Sequence, residues 1–170
     1  MIRSFGISGA GGIRGGSGAS SPVSTEIQSL VINLGDNDKN VRKQAVDTLM
    51  EVSQKTPKDV VLELKDSLKD SNEDVRVNAS IVLEDISKVS PEAVIPAVPE
   101  LKDFLKDSSE YICVIALIIL VNISKVSPEA VIPAIPELRK ALKDPNEKVR
   151  VIASYLLRRI GAEIYNYTVS

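Results

Sequence analysis

Apolar residues recur along most of this chain at spacings of three and four, the period of one buried helix face. From position 24 onward the pattern predicts helices in pairs. The first member of each pair (A) is predicted near 25–34, 58–69, 91–106 and 128–143, and the second (B) near 39–54, 73–88, 110–125 and 146–160. The B segments carry the sharper stripe. Val75, Ala79, Val82, Leu83 and Ile86 fall on one face of the second B segment. Their counterparts are Val41, Ala45, Thr48, Leu49 and Val52; Ile112, Ala116, Ile119, Leu120 and Ile123; and Val149, Ala153, Leu156, Leu157 and Ile160. This face is read as core. An alanine holds the second place of every stripe, where a small residue lets neighbouring helices approach closely.

The breaks between segments are punctuated by polar residues, glycine and proline. Each A segment ends in Asp, at Gly35-Asp36, Lys69-Asp70, Lys106-Asp107 and Lys143-Asp144. Ser71, Ser108 and Asn146 follow as candidate caps of the B helices. Ser90-Pro91-Glu92 and Ser127-Pro128-Glu129 read as helix starts, with Ser as N-cap, Pro at the first helical position and Glu near the positive end of the dipole. Pro96, Pro99, Pro133 and Pro136 lie deeper. An interior proline removes a hydrogen bond and clashes with the preceding turn, so these two A segments are expected to bend or restart there. Gly161 is expected to end the last helix.

The pattern also repeats. Residues 71–107 and 108–144 align over 37 positions without a gap, with 24 identities. A partial copy follows at 145–160 and a shorter, divergent one precedes at 37–70. A period in this range signals a solenoid, in which each unit buries its apolar face against its neighbours. The expected fold is an all-α solenoid of about four helical hairpins, eight helices, over residues 24–161. Such a fold favours a binding surface over a catalytic pocket. Residues 1–23 hold seven of the nine glycines and read as a flexible segment. A phosphate-loop reading fails there, because Gly9-Ala10-Gly11 needs a third glycine where Arg14 stands. Residues 162–170 are read as a C-terminal tail, in which Tyr165 and Tyr167 either fold over the last unit or stay exposed.

Composition narrows the chemistry. The chain has no histidine and one cysteine, Cys113. That removes Cys/His zinc sites, Ser-His-Asp and Cys-His nucleophiles and histidine acid–base catalysis. No catalytic residue, metal ligand or cofactor is expected. One cysteine cannot form an internal disulfide, which suits a reducing, cytoplasmic setting. The net charge of −2 argues against a nucleic-acid groove as the main surface. The longest apolar run, 112–121, is about half of the ~20 residues a membrane-spanning helix needs.

An Asp at the end of helix A, followed six residues later by an Arg just after the first core residue of helix B, resembles the HEAT-repeat signature. The pairs are Asp36/Arg42, Asp70/Arg76 and Asp144/Arg150; in the third unit Asp107 is followed by Cys113 instead. The resemblance covers about residues 24–161. It implies an Asp/Arg ladder between successive units, structural in role, and B helices that line a concave surface.

On that surface the sequence places four columns: Arg42, Val46 and Met50; Arg76, Ser80 and Glu84; Cys113, Leu117 and Val121; Arg150, Ser154 and Arg158. The third column is apolar where its near-identical neighbour is polar. A helix apolar all round must be covered. The cover is a partner protein, this chain itself (a curled solenoid, or the N-terminal segment with Ile2, Phe5, Ile7 and Ile13), or a second copy. The expected function is a non-catalytic interaction scaffold or adaptor. A partner segment would dock around Leu117 and Val121, with Arg76, Arg150 and Arg158 as polar rim. The rival readings are a nucleic-acid binder using Arg42, Arg76, Arg150 and Arg158, a non-catalytic subunit of a lyase-type enzyme, and an engineered repeat protein.

Overall fold

A computed structural model describes residues 22–169, with side chains from 23 to 161. The expectations for the glycine-rich leader, and for the side chains of Tyr165 and Tyr167, lie outside the described residues. Among those residues the chain is all-helical. The helices are α1 (Pro22–Asn33), α2 (Lys39–Ser53), α3 (Pro57–Leu64), α4 (Glu73–Val89), α5 (Pro91–Val94), α6 (Val98–Phe104), α7 (Glu110–Val126), α8 (Ile135–Ala141) and α9 (Glu147–Val169). Short 3-10 turns occupy Asp66–Lys69, Ile95–Ala97 and Pro128–Ala134. All eight predicted arms are present. The first starts at Pro22, inside the segment read as linker. The last runs through Gly161 rather than stopping there. Gly161 has open space around it, so no close contact demands a glycine at that point.

The arms form two layers. α2, α4, α7 and α9 pack side by side as the B layer; α1, α3, α5–α6 and the 128–141 arm form the A layer beneath. Each unit touches its neighbours in both layers, which is the nearest-neighbour construction the repeat predicts. The core runs along the seam between layers. Ala45, Ala79, Ala116 and Ala153 are all buried there, as are Leu49, Leu83, Leu120 and Leu156. The inner prolines act as expected. The third A arm breaks into α5, a 3-10 turn and α6, with Pro99 in the first turn of α6; the fourth is 3-10 until α8 starts at Ile135, with Pro136 in its first turn. The second A arm, which lacks inner prolines, is α-helical from Pro57 to Leu64 and closes on the 3-10 turn Asp66–Lys69.

The caps agree with the sequence reading at Asn146 and differ from it at Ser71 and Ser108. Asp38, Asn72 and Asn146 cap α2, α4 and α9 through side-chain oxygens that accept the amide two residues on, at 2.8–2.9 Å. Ser71 and Ser108 stand one residue too early to cap. Ser109, the N-cap of α7, makes no side-chain cap bond, and neither do Ser90 and Ser127. Gly35 is required by packing. A Cβ there would meet Val75 Cγ2 at 2.7 Å. The buried hydroxyls of Ser53, Ser80, Ser87 and Ser124 each donate to the carbonyl three residues back, so the core carries them without orphaned donors.

Candidate functional site

The A-to-B turns are tied by one recurring device. Each turn Asp accepts the backbone amide two residues on: Asp36 from Asp38, Asp70 from Asn72, Asp107 from Ser109 and Asp144 from Asn146, all at 2.7–2.8 Å. The arginine six residues on clamps the same turn. Arg42 Nη1 donates to the carbonyls of Asp36 and Asn37, Arg76 Nη1 to those of Asp70 and Ser71, and Arg150 Nη1 to those of Asp144 and Pro145, at 2.7–3.2 Å. The arginine therefore takes its own Asp by the backbone carbonyl, not by the carboxylate. Its reach to the next unit varies. Arg76 Nε donates to Asp107 Oδ2 at 3.0 Å, whereas Arg42 lies 3.6 Å from Asp74, not Asp70.

Cys113 interrupts the device. Its slot opens on a cavity of about 490 Å³ between the third and fourth units, walled by Asp107, Ser108, Glu110, Asp144 and Asn146 among others. Burial pushes the thiol up to about 11, with Asp144, Asp107 and Glu110 adding to the effect. The thiol is thus protonated at neutral pH and a poor nucleophile.

A second ladder runs through the A layer and was not read from the sequence. Lys69 Nζ donates to the buried Glu100 at 3.0 Å, and Lys106 Nζ lies 3.2 Å from Glu137, one unit on. The hydrogen bond to Glu100 raises the Lys69 pKa. Burial opposes ionisation of Glu137, yet the hydrogen bond from Lys106 leaves its carboxyl below the usual range. The signal was available: Glu100 and Glu137, equivalent in the two copies of the duplicated unit, each lie 31 residues after a Lys.

The four predicted columns do not stay on one face. Leu117 is fully buried, Cys113 is 4% exposed, and Ser80 and Val46 are buried too. All four are buried within a B layer that packs α2 on α4, α4 on α7 and α7 on α9. Leu117 is therefore core and unavailable to a partner, and the solenoid itself covers this side of α7. The reason is geometric. At about 100° per residue, a step of four advances about 40°, so each column winds from the inter-helix joint to the outer face. Its later members, Met50, Glu84, Val121 and Arg158, do reach solvent, half-buried for the first three and exposed for Arg158. Arg76, Arg150 and Ser154 are half-buried, and both arginines are spent on turn carbonyls.

The outer B-layer face is carried instead by positions one residue later. Val77 and Ile81 of α4 and Val114 and Ile118 of α7 are half-buried; Val151 and Tyr155 of α9 are 59% and 43% exposed. The first unit has Lys43 and Asp47 at these positions. Val114, Ile118, Val151 and Ile152 line a shallow groove of about 400 Å³ between α7 and α9, with Glu147 and Lys148 at one end. Lys88, Lys125 and Arg158 are exposed on the same three helices. Among the described residues no group of His, Cys, Asp and Glu side chains is arranged to hold a metal ion, and no helix is long and apolar enough to cross a membrane.

Comparison with known proteins agrees with this architecture. A family model described as Cnd1, non-SMC mitotic condensation complex subunit 1, matches residues 19–100, the first two units and the start of the third A arm. A designed armadillo repeat protein in complex with the peptide (KR)4 superposes with a TM-score of 0.65 at 23% identity, covering 79% of this chain and 64% of that one. Another designed armadillo repeat protein gives 0.63 at 26% identity with the same coverage. A structure from work on the phosphorylation switch controlling the interaction between cadherin and β-catenin gives 0.60 at 24%, covering 78% of this chain and 28% of that one. The chain thus spans less than two thirds of the designed armadillo proteins it matches. No curated protein matches it. The chain is an α-solenoid of the armadillo/HEAT class.

Proposed function

We propose that this solenoid is a non-catalytic interaction scaffold that docks a segment of another protein on the outer B-layer face. The observation that carries the reading is the apolar strip across three consecutive B helices, Val77 and Ile81, Val114 and Ile118, Val151 and Tyr155, part of which forms the α7–α9 groove. Half-buried apolar side chains flanked by Lys88, Lys125 and Arg158 have the make-up of an apolar centre with a polar rim. An amphipathic helix or extended segment presenting apolar side chains fits such a strip. The designed armadillo relative binds a peptide, which supports the same use of the fold here. A nucleic-acid role loses ground, because Arg42, Arg76 and Arg150 are engaged by turn carbonyls and only Arg158 of that set is exposed.

The test is a pull-down with mass spectrometry on the wild type and on Val151→Glu/Tyr155→Glu, with circular dichroism and mass-resolved sizing of both baits. Both substitutions are at exposed positions, so the fold should survive. A protein captured by the wild type, lost in the folded variant, and reproduced by a synthetic segment of that protein supports the strip as a docking site. Identical captures by both baits refute it.

A further inference from the structure

The joint between the third and fourth units lacks a group that the joint before it contains. In the second unit the Arg76 guanidinium satisfies three acceptors, the carbonyls of Asp70 and Ser71 and the carboxylate of Asp107. One unit on, the equivalent acceptors are the carbonyls of Asp107 and Ser108 and the carboxylate of Asp144. Cys113 stands at the arginine's position and is too short to reach them. Among the described residues no side chain donates to either carbonyl, and the Asp144 carboxylate receives only the Asn146 amide. The space an arginine would fill is part of the cavity of about 490 Å³.

The cavity wall is acidic and holds no Lys or Arg. Asp107 is already paired with Arg76, which leaves Glu110 and Asp144 as the uncompensated carboxylates. The wall also holds an unsatisfied donor. Asn146 Oδ1 accepts from the Lys148 amide, which fixes the orientation of the side chain, and its Nδ2 is buried with no acceptor. The occupant must therefore be cationic, carry several donors in a planar fork, and bring an acceptor of its own.

We propose that this cavity receives an arginine side chain from a partner protein, whose guanidinium completes the ladder in trans. Two carbonyls and a carboxylate around one slot match the guanidinium fork, as Arg76 demonstrates in the sister joint; a lysine ammonium is a point charge and fits that set less well. The backbone carbonyl of the incoming segment supplies the acceptor that Asn146 lacks. The partner rests on the scaffold reading above, but the two sites share no residue, and the receptor is tested without any partner.

The probe is N-acetyl-arginine methylamide, titrated into the full chain and followed by amide NMR, with the lysine analogue in parallel. The expected result is saturable shifts at Ser108, Ser109 and Asn146, with the lysine analogue several-fold weaker. Cys113→Arg, which supplies the guanidinium in cis, should abolish the saturable shifts and raise the melting temperature. Asp144→Asn should weaken the arginine analogue several-fold, and keeps the test decisive should Cys113→Arg fail to fold. The proposal is overturned if the wild type shows no saturable shift, if the two analogues behave alike, or if shifts persist undiminished in Asp144→Asn or in folded Cys113→Arg. Loss of strip docking in the pull-down leaves this result untouched, and the reverse also holds.

Discussion

The copies at 71–107 and 108–144 share 24 of 37 residues, yet the joint at Arg76 is clamped and the one at Cys113 is open. Of the substitutions along the B helix, the three in the column Arg76, Ser80 and Glu84 each land in a different environment. Arg76 against Cys113 exchanges a guanidinium with three acceptors for a buried thiol beside a cavity. Ser80 against Leu117 exchanges one fully buried side chain for another. Glu84, which pairs with Lys88, against Val121 exchanges two half-buried outer residues. A contrast that reads as one apolar patch in the sequence is a change of turn, of core and of surface, one residue each.

The largest effect is expected from copying the core difference. Leu117→Ser gives the third unit its neighbour's residue and should cost about 3–5 kcal/mol, since a fully buried leucine leaves a cavity that collapses only in part. A denaturant midpoint close to wild type would mean that Leu117 is not in the core. Arg76→Cys makes the second joint resemble the third. Loss of charge-assisted bonds to two carbonyls and Asp107 should destabilise by about 2 kcal/mol, read from chemical unfolding. A neutral result would show that the clamp is dispensable and that the open joint is no weaker than the closed one.

Cys113 gives a smaller, pH-dependent effect. Its folded pKa of about 11 lies above the ordinary thiol value of 9.0. The folded state then holds its proton longer than the unfolded state, so the contribution is complete below pH 9 and is lost as the pH rises towards 11. The difference in stability between the wild type and Cys113→Ala should narrow across that window. At pH 8 the native thiol should react with an aromatic disulfide reagent far more slowly than the unfolded chain. Fast native labelling would contradict its burial. The smallest effect is expected at the surface, where Val121→Glu copies Glu84. Stability should stay within about 0.5 kcal/mol of wild type by thermal unfolding, and a larger loss would place Val121 deeper in the α7–α9 joint.

The fold was legible because each element is signalled more than once. The stripe around Leu83 and Leu120, the turn aspartates and the inner prolines all mark the same boundaries, and the structure breaks the A arms at Pro99 and Pro136. The candidate surface was only partly legible. Identity of type at every fourth residue does not specify a face, because the face drifts along the helix, and Leu117 and Val121 part company within one turn. Val77, Val114 and Val151 look like ordinary core residues in the sequence. Only the packing of four parallel B helices decides which side of each is covered. The cavity had a visible trace, the missing arginine after Asp107, but its acidic wall comes from turns of two units, 34 residues apart at Glu110 and Asp144.

The Lys69–Glu100 and Lys106–Glu137 links reach across successive joints in the same way. Joints that match are interchangeable. An extra block of 37 residues spliced in after position 107 would meet a surface already shaped to receive it, while a single residue added within α7 would turn everything beyond it by about 100°. Length in this chain is therefore a quantity that can change in whole blocks and hardly at all between them.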